Sequence, residues 1–146
     1  MNDVFSVRLV HKTDANTIVT GTVVSLSNGV YQMNYTLVKA GAYMMTITVQ
    51  PGGFGPTYQI KDSPLQVQCN VNLVDTTKTT LTGVGVTQST AGVVTTFKVT
   101  LFDSGNNQRE TGGDTLLVTI GAITDIETFD HDDGTYTVQY KILDAS

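Results

Sequence analysis

The sequence predicts an all-β fold in which strands stack as a two-layer sandwich. Three observations predict it. Apolar residues recur at every second position, turn residues separate these series, and one pattern occurs twice along the chain.

The series follow in order. Phe5, Val7 and Leu9 alternate with Ser6 and Arg8. Tyr31, Met33 and Tyr35 alternate with Gln32 and Asn34. Tyr43, Met45, Ile47 and Val49 form a third series, and Leu65, Val67 and Cys69 a fourth. Phe97, Val99 and Leu101 come next, then Leu116, Val118 and Ile120, then Tyr136, Val138 and Tyr140. Side chains two apart share a face of an extended chain, so each series reads as a strand with one buried side. Between them lie Ser27-Asn28-Gly29, Pro51-Gly52-Gly53, Ser104-Gly105-Asn106-Asn107, Gly112-Gly113-Asp114 and Asp132-Asp133-Gly134. These supply the left-handed and Asx conformations that hairpins need. No stretch has helical periodicity.

Composition agrees. Of 146 residues, 40% are hydrophobic and 14% charged, which is a folded composition. No apolar run approaches a membrane span, and the opening Met1-Asn2-Asp3-Val4 does not read as a signal peptide.

The repeat has a definite spacing. Asn28-Gly29-Val30-Tyr31-Gln32-Met33-Asn34-Tyr35 matches Asp133-Gly134-Thr135-Tyr136-Thr137-Val138-Gln139-Tyr140, and 133 − 28 gives an offset of 105. Asp3-Val4-Phe5-Ser6-Val7-Arg8-Leu9 matches Asp114-Thr115-Leu116-Leu117-Val118-Thr119-Ile120, and 114 − 3 gives 111. The difference of six predicts a longer loop in the first copy, around residues 11–17. A period of about a hundred residues is the size of one immunoglobulin-like domain and too long for a solenoid unit.

The second copy contains Gly83-Val84-Gly85-Val86, Ala91-Gly92, Phe97-Lys98-Val99, Asp103-Ser104-Gly105-Asn106, Gly112-Gly113-Asp114 and the 133–140 block. The first contains the 28–35 block, Ala40-Gly41-Ala42-Tyr43 and Ile60-Lys61-Asp62-Ser63-Pro64-Leu65. In order and spacing these pieces resemble the filamin-type (actin-binding protein 280) repeat, with Asp62 and Leu65 where that family has glycine and phenylalanine. The resemblance implies an immunoglobulin-like β-sandwich of seven strands, A to G. Residues 1–69 are then strands C–G of one repeat, and residues 70–146 strands A–E of the next. Neither half can close both faces of a sandwich alone, and its open edges are a liability. Three completions compete: strands from a neighbouring chain, a strand-swapped homodimer, and a circularly permuted fold-back.

Net charge is −5. Residues 1–69 carry four Lys/Arg against three Asp, and residues 70–146 four against ten Asp/Glu. An acidic half without a basic stripe argues against nucleic acid and anionic membrane as partners. The single cysteine, Cys69, excludes an intrachain disulfide, which fits a cytoplasmic setting; extracellular is the alternative, with a sequon at Asn34-Tyr35-Thr36. Cys69 falls in phase with Val67 and Leu65 and reads as an inert core thiol.

No catalytic constellation is expected, and no cofactor or metal. His11 and His131 fall in expected loops without a matched nucleophile. The 103–107 and 130–134 segments carry oxygen ligands but lack the spacing of a calcium loop, and read as Asx turns. Only one of Met44 and Met45 can face a core.

The expectation is therefore a non-catalytic scaffold or spacer, associated with the cytoskeleton. The resemblance implies that protein partners add a strand beside strand C, over strand D. That edge maps to Leu117 and Thr119 with Ile126 and Thr128 in the second copy, and to Arg8 and Val10, opposite residues 23–26, in the first. An extracellular adhesion repeat is the alternative. A carbohydrate-binding domain ranks last, because there is no tryptophan and the tyrosines fall in core phase.

Overall fold

The computed structural model describes residues 2–144. The chain falls into two compact units, Met1–Asn70 and Val71–Ser146. Both are built from antiparallel strands in immunoglobulin-like layers, and among the described residues the helical content is limited to two short 3-10 turns, Pro51–Gly53 and Val84–Val86. No helix among the described residues is long and apolar enough to cross a membrane.

The first unit contains β1 (Val4–His11), β2 (Ile18–Thr20), β3 (Thr22–Ser27), β4 (Val30–Asn34), β5 (Gly41–Gln50), β6 (Tyr58–Gln59) and β7 (Leu65–Cys69). Its main sheet runs β2-β1-β5, with β7 and β6 sharing the far edge of β5. The β1–β5 ladder is the longest, from Val4 opposite Gln50 to His11 opposite Tyr43. A separate β3–β4 hairpin turns through Ser27, Asn28 and Gly29, all at positive φ. Val7, Leu9, Tyr43 and Ile47 form the core, and the alternation of β1 and β5 puts all four on one face. Val23 and Met33 of the hairpin pack onto it, as do Met45, Leu65, Val67 and Cys69.

The expected long loop after β1 is present over residues 12–17 and leads into β2, which pairs with β1; Ile18, Val19 and Thr20 are all β-branched. His11 departs from expectation. It ends β1 and is buried rather than lying in a loop. Its Nδ1 accepts from the Thr13 N–H at 3.2 Å, which leaves Nε2 to donate to the Ala40 carbonyl at 2.9 Å. Its ring meets Tyr43 edge-on at 4.9 Å. A Cβ on Gly41 would overlap that imidazole, so the glycine is sterically required here.

The second unit contains β8 (Thr80–Thr82), β9 (Val94–Thr100), β10 (Ile126–Asp130) and β11 (Thr135–Lys141). They form one sheet in the order β10-β11-β9-β8. Val99, Leu101, Tyr136 and Val138 make the core, with Val74, Phe97, Leu116, Val118 and Ile126 packed against it. The buried Tyr140 hydroxyl donates to the Gly85 carbonyl at 2.7 Å. Gly85 sits so close to β9 that a Cβ would overlap the Thr96 carbonyl.

One expected strand does not form as a strand. Residues 114–120 alternate half-buried and exposed, as an extended chain does, but join no ladder. Their inner side chains reach the core while no neighbouring strand offers hydrogen bonds. Pairing needs a partner in space, which hydrophobic alternation alone does not provide.

Candidate functional site

The edge residues expected to meet a partner fall into two situations. In the second unit, Leu117 is 92% exposed and Thr119 is also exposed, while Leu116 and Val118 turn inward. No backbone hydrogen bond involves residues 115–119 among the described residues. Thr128 is exposed on β10, opposite Val138 of β11, and Ile126 packs against the core instead of projecting outward. β10 ends its sheet, so its other edge is also unpaired.

The uncommitted segment is held at both ends. At its start the Asp114 N–H donates to the Tyr136 hydroxyl at 3.1 Å, and Arg109 meets the Asp114 carboxylate at 3.3 Å. The Gly113 N–H donates to Asp130 Oδ2 at 2.7 Å, and a Cβ on Gly112 would overlap that carboxylate. At its end the Ile123 N–H donates to the Ile120 carbonyl at 3.0 Å. An extended backbone with free donors and acceptors, anchored at each terminus and oriented by a core, is a template for strand addition.

In the first unit the equivalent edge is closed. Arg8 and Val10 lie on β1 and pair with Thr20 and Ile18 of β2. The Gly21 N–H extends the closure by donating to the Val7 carbonyl at 2.9 Å. Residues 23–26, expected opposite that edge, lie in β3, which pairs with β4. The structure therefore does not leave Arg8 and Val10 open, because β2 covers that edge.

The electrostatics are structural. Asp14 accepts from Lys39 at 2.8 Å, from the Thr17 hydroxyl at 2.6 Å and from the Asn16 N–H, and these bonds lower its pKa to about 2. The Tyr43 hydroxyl donates to the Lys39 carbonyl at 2.7 Å, an arrangement like the tyrosine corner of immunoglobulin-like domains. Burial raises the pKa of Tyr43, and likewise of Tyr136.

Asp103 is the most heavily engaged carboxylate. Burial opposes its charge, but the N–H groups of Asn72, Asn107 and Gly105 and the Asn107 amide all donate to it at 2.9–3.0 Å, and the net effect lowers its pKa. Both oxygens are occupied by turn donors, in keeping with an Asx turn rather than an ion site. Asp133 plays the same part through Thr135. Among the described residues no group of three or more His, Cys, Asp or Glu is placed to hold a metal. Cys69 is half-buried against the first core.

Sequence reasoning missed two features. The closure by β2 was signalled by its β-branched triplet just after the expected loop. The unladdered backbone of residues 115–119 had no local signal.

No curated protein matches the chain. The Filamin/ABP280 repeat model matches residues 73–145, which span strands β8 to β11 and the unpaired segment. The chain belongs to the Filamin/ABP280 repeat family.

Proposed function

We propose that the chain is a scaffold or spacer module that binds protein partners by strand addition at the edge formed by Leu117 and Thr119, flanked by Thr128 and Ile126 of β10. The family is one of non-catalytic structural and interaction modules. The observation that carries the finer reading is the backbone of residues 115–119, extended over a core and making no backbone hydrogen bond among the described residues. A partner strand gains ladder bonds there without displacing any existing ones. The neighbouring stretch from Asp125 to Asp133 holds five carboxylates and no Lys or Arg, so the preferred partner strand is neutral or basic.

The reading extends to the rest of the molecule. Residues 1–69 act as the C–G strands of one repeat and residues 70–146 as the A–E strands of the next. Partner addition at Arg8 and Val10 requires release of β2. A strand-swapped homodimer is a further route to completion. The setting is cytoplasmic and cytoskeletal; glycan on Asn34, an exposed residue at the end of β4, would instead mark an extracellular adhesion repeat.

The test uses Thr119→Pro. Its N–H makes no bond in the free chain, so the thermal midpoint stays close to that of the parent. Binding of a strand-forming partner, recovered by affinity capture on the full chain and retested as a peptide, falls at least about tenfold. Unchanged binding removes this edge from the reading.

A further inference from the structure

The two turn glycines of the internal repeat sit in opposite surroundings, and the residue before each carries a side-chain carbonyl. Asn28-Gly29 closes the β3–β4 hairpin as a two-residue loop, with Ser27 paired to Val30. Both loop residues have positive φ, 54° and 76°, as such a turn requires. Both are exposed, and nothing lies within 4 Å of the position a Cβ would take on Gly29. Among the described residues neither the Asn28 amide nor the Gly29 N–H makes a hydrogen bond. At the matching position Asp133 accepts from the Thr135 N–H and hydroxyl, and Gly134 is buried against Arg109. Asn106, also at positive φ, is followed by an N–H already given to the Asp103 carboxylate at 2.9 Å.

We propose that Asn28 is a self-modification site, at which Gly29 closes on the side chain and the amide becomes a carboxylate. The Gly29 nitrogen, its proton taken by solvent base, attacks Asn28 Cγ. The Cγ–Nδ2 bond breaks, ammonia leaves, and a cyclic imide remains. Water then opens the ring. Breaking the nitrogen–Cγ bond yields aspartate. Breaking the bond from nitrogen to the main-chain carbonyl carbon yields isoaspartate, with Cβ and Cγ now in the backbone. No oxidant or cofactor is consumed. Glycine suits the attack because no side chain shields its nitrogen and its φ is unrestricted. The sequence holds a single Asn-Gly pair, so this hairpin is where such closure is fastest. Val23 of β3 and Met33 of β4 pack on the first core, and the two-residue loop fixes their register. An extra main-chain atom in that loop breaks the register, so isoaspartate loosens the cover of the first unit. The proposal does not depend on the strand-addition reading.

The experiment ages the full chain in mildly alkaline buffer, folded and in urea, and follows each asparagine by peptide mass. In the folded chain Asn28 is converted at least about ten times faster than any other asparagine. Urea raises that rate less than about tenfold, because the turn already exposes both reacting groups. Asp133, which would close the same imide with loss of water, isomerises only in urea. Gly29→Ala slows conversion of Asn28 at least about tenfold, since its methyl group shields the nitrogen. Chains carrying isoaspartate show faster amide exchange in β3 and β4 and unchanged exchange in β9 and β11. An Asn28→Asp chain keeps the parent's protection, because Asp-Gly suits the same turn. Three results overturn the proposal: conversion led by another asparagine, conversion of Asn28 confined to urea, or hairpin exchange that is the same before and after isoaspartate forms.

Discussion

The two units use the same strand pattern and arrive at opposite deficits. The first builds a five-stranded sheet around the β1–β5 ladder and covers it with only a two-stranded hairpin. The second builds a four-stranded sheet and covers it with a single chain segment that has no strand neighbours. Phe5, Val7 and Leu9 lie in a ladder, while Leu116, Val118 and Ile120, their sequence counterparts, do not. Equal hydrophobic alternation thus gives a strand in one place and a tethered extended segment in the other. The difference is whether a neighbouring backbone exists, not which side chains are present.

The sharpest way to break this comparison is at the paired turn glycines. A Cβ at Gly134 overlaps the Arg109 carbonyl at φ 82°, whereas Gly29 at φ 76° has open space around its equivalent position. Gly134→Ala should destabilise the second unit by about 3–5 kcal/mol, and Gly29→Ala the first by about 1–2 kcal/mol, read from chemical denaturation. Equal losses would mean that the two turns are not different environments.

Next in size is a pair of leucines. Leu9 is fully buried in a laddered strand, and Leu116 is half-buried in the unpaired one. Leu9→Ala should cost about 2–5 kcal/mol and Leu116→Ala about 1–2 kcal/mol in urea unfolding. A larger loss at Leu116 would show that the lone segment is as firmly packed as β1.

The smallest contrast is in acid. The first unit holds one carboxyl with a lowered pKa, Asp14, and the second holds Asp75, Asp103 and Asp133. Each binds its proton less readily in the folded state than in the unfolded chain. Its contribution is therefore present above the ordinary value of 3.8 and is lost as pH falls through the lowered one, about 2 for Asp14. Melting between pH 5 and pH 2, followed by unit-specific amide signals, should lower the second unit more than the first. Asp103→Asn should reduce that gap.

Much of this was legible from residues alone. Alternation located β1, β4, β5, β7, β9 and β11, and Gly29 and Gly134 marked their hairpins. Tyr43 was legible as a core-facing residue from its phase with Met45 and Ile47. The failure of residues 114–120 to pair was not legible, since a ladder depends on a strand distant in sequence. Burial of His11 was hidden for a related reason: its cover is Gly41 and Tyr43, about thirty residues away. The outward position of Leu117 and Thr119 was anticipated, but the closure over Arg8 and Val10 was not, because a strand of three residues is too short to show an alternation.

The Asp103 turn stands where a pull along the chain would enter the second unit of a spacer. A pull transmitted through Asn70 enters the second unit at Asn72, whose N–H is held by the Asp103 carboxylate. Val74 bridges to Asp103 immediately afterwards, and the Asp75 N–H is held by the Phe102 carbonyl at 2.8 Å. Such a load would meet these bonds together at the point of entry, before it reached the Val99 and Tyr136 layer.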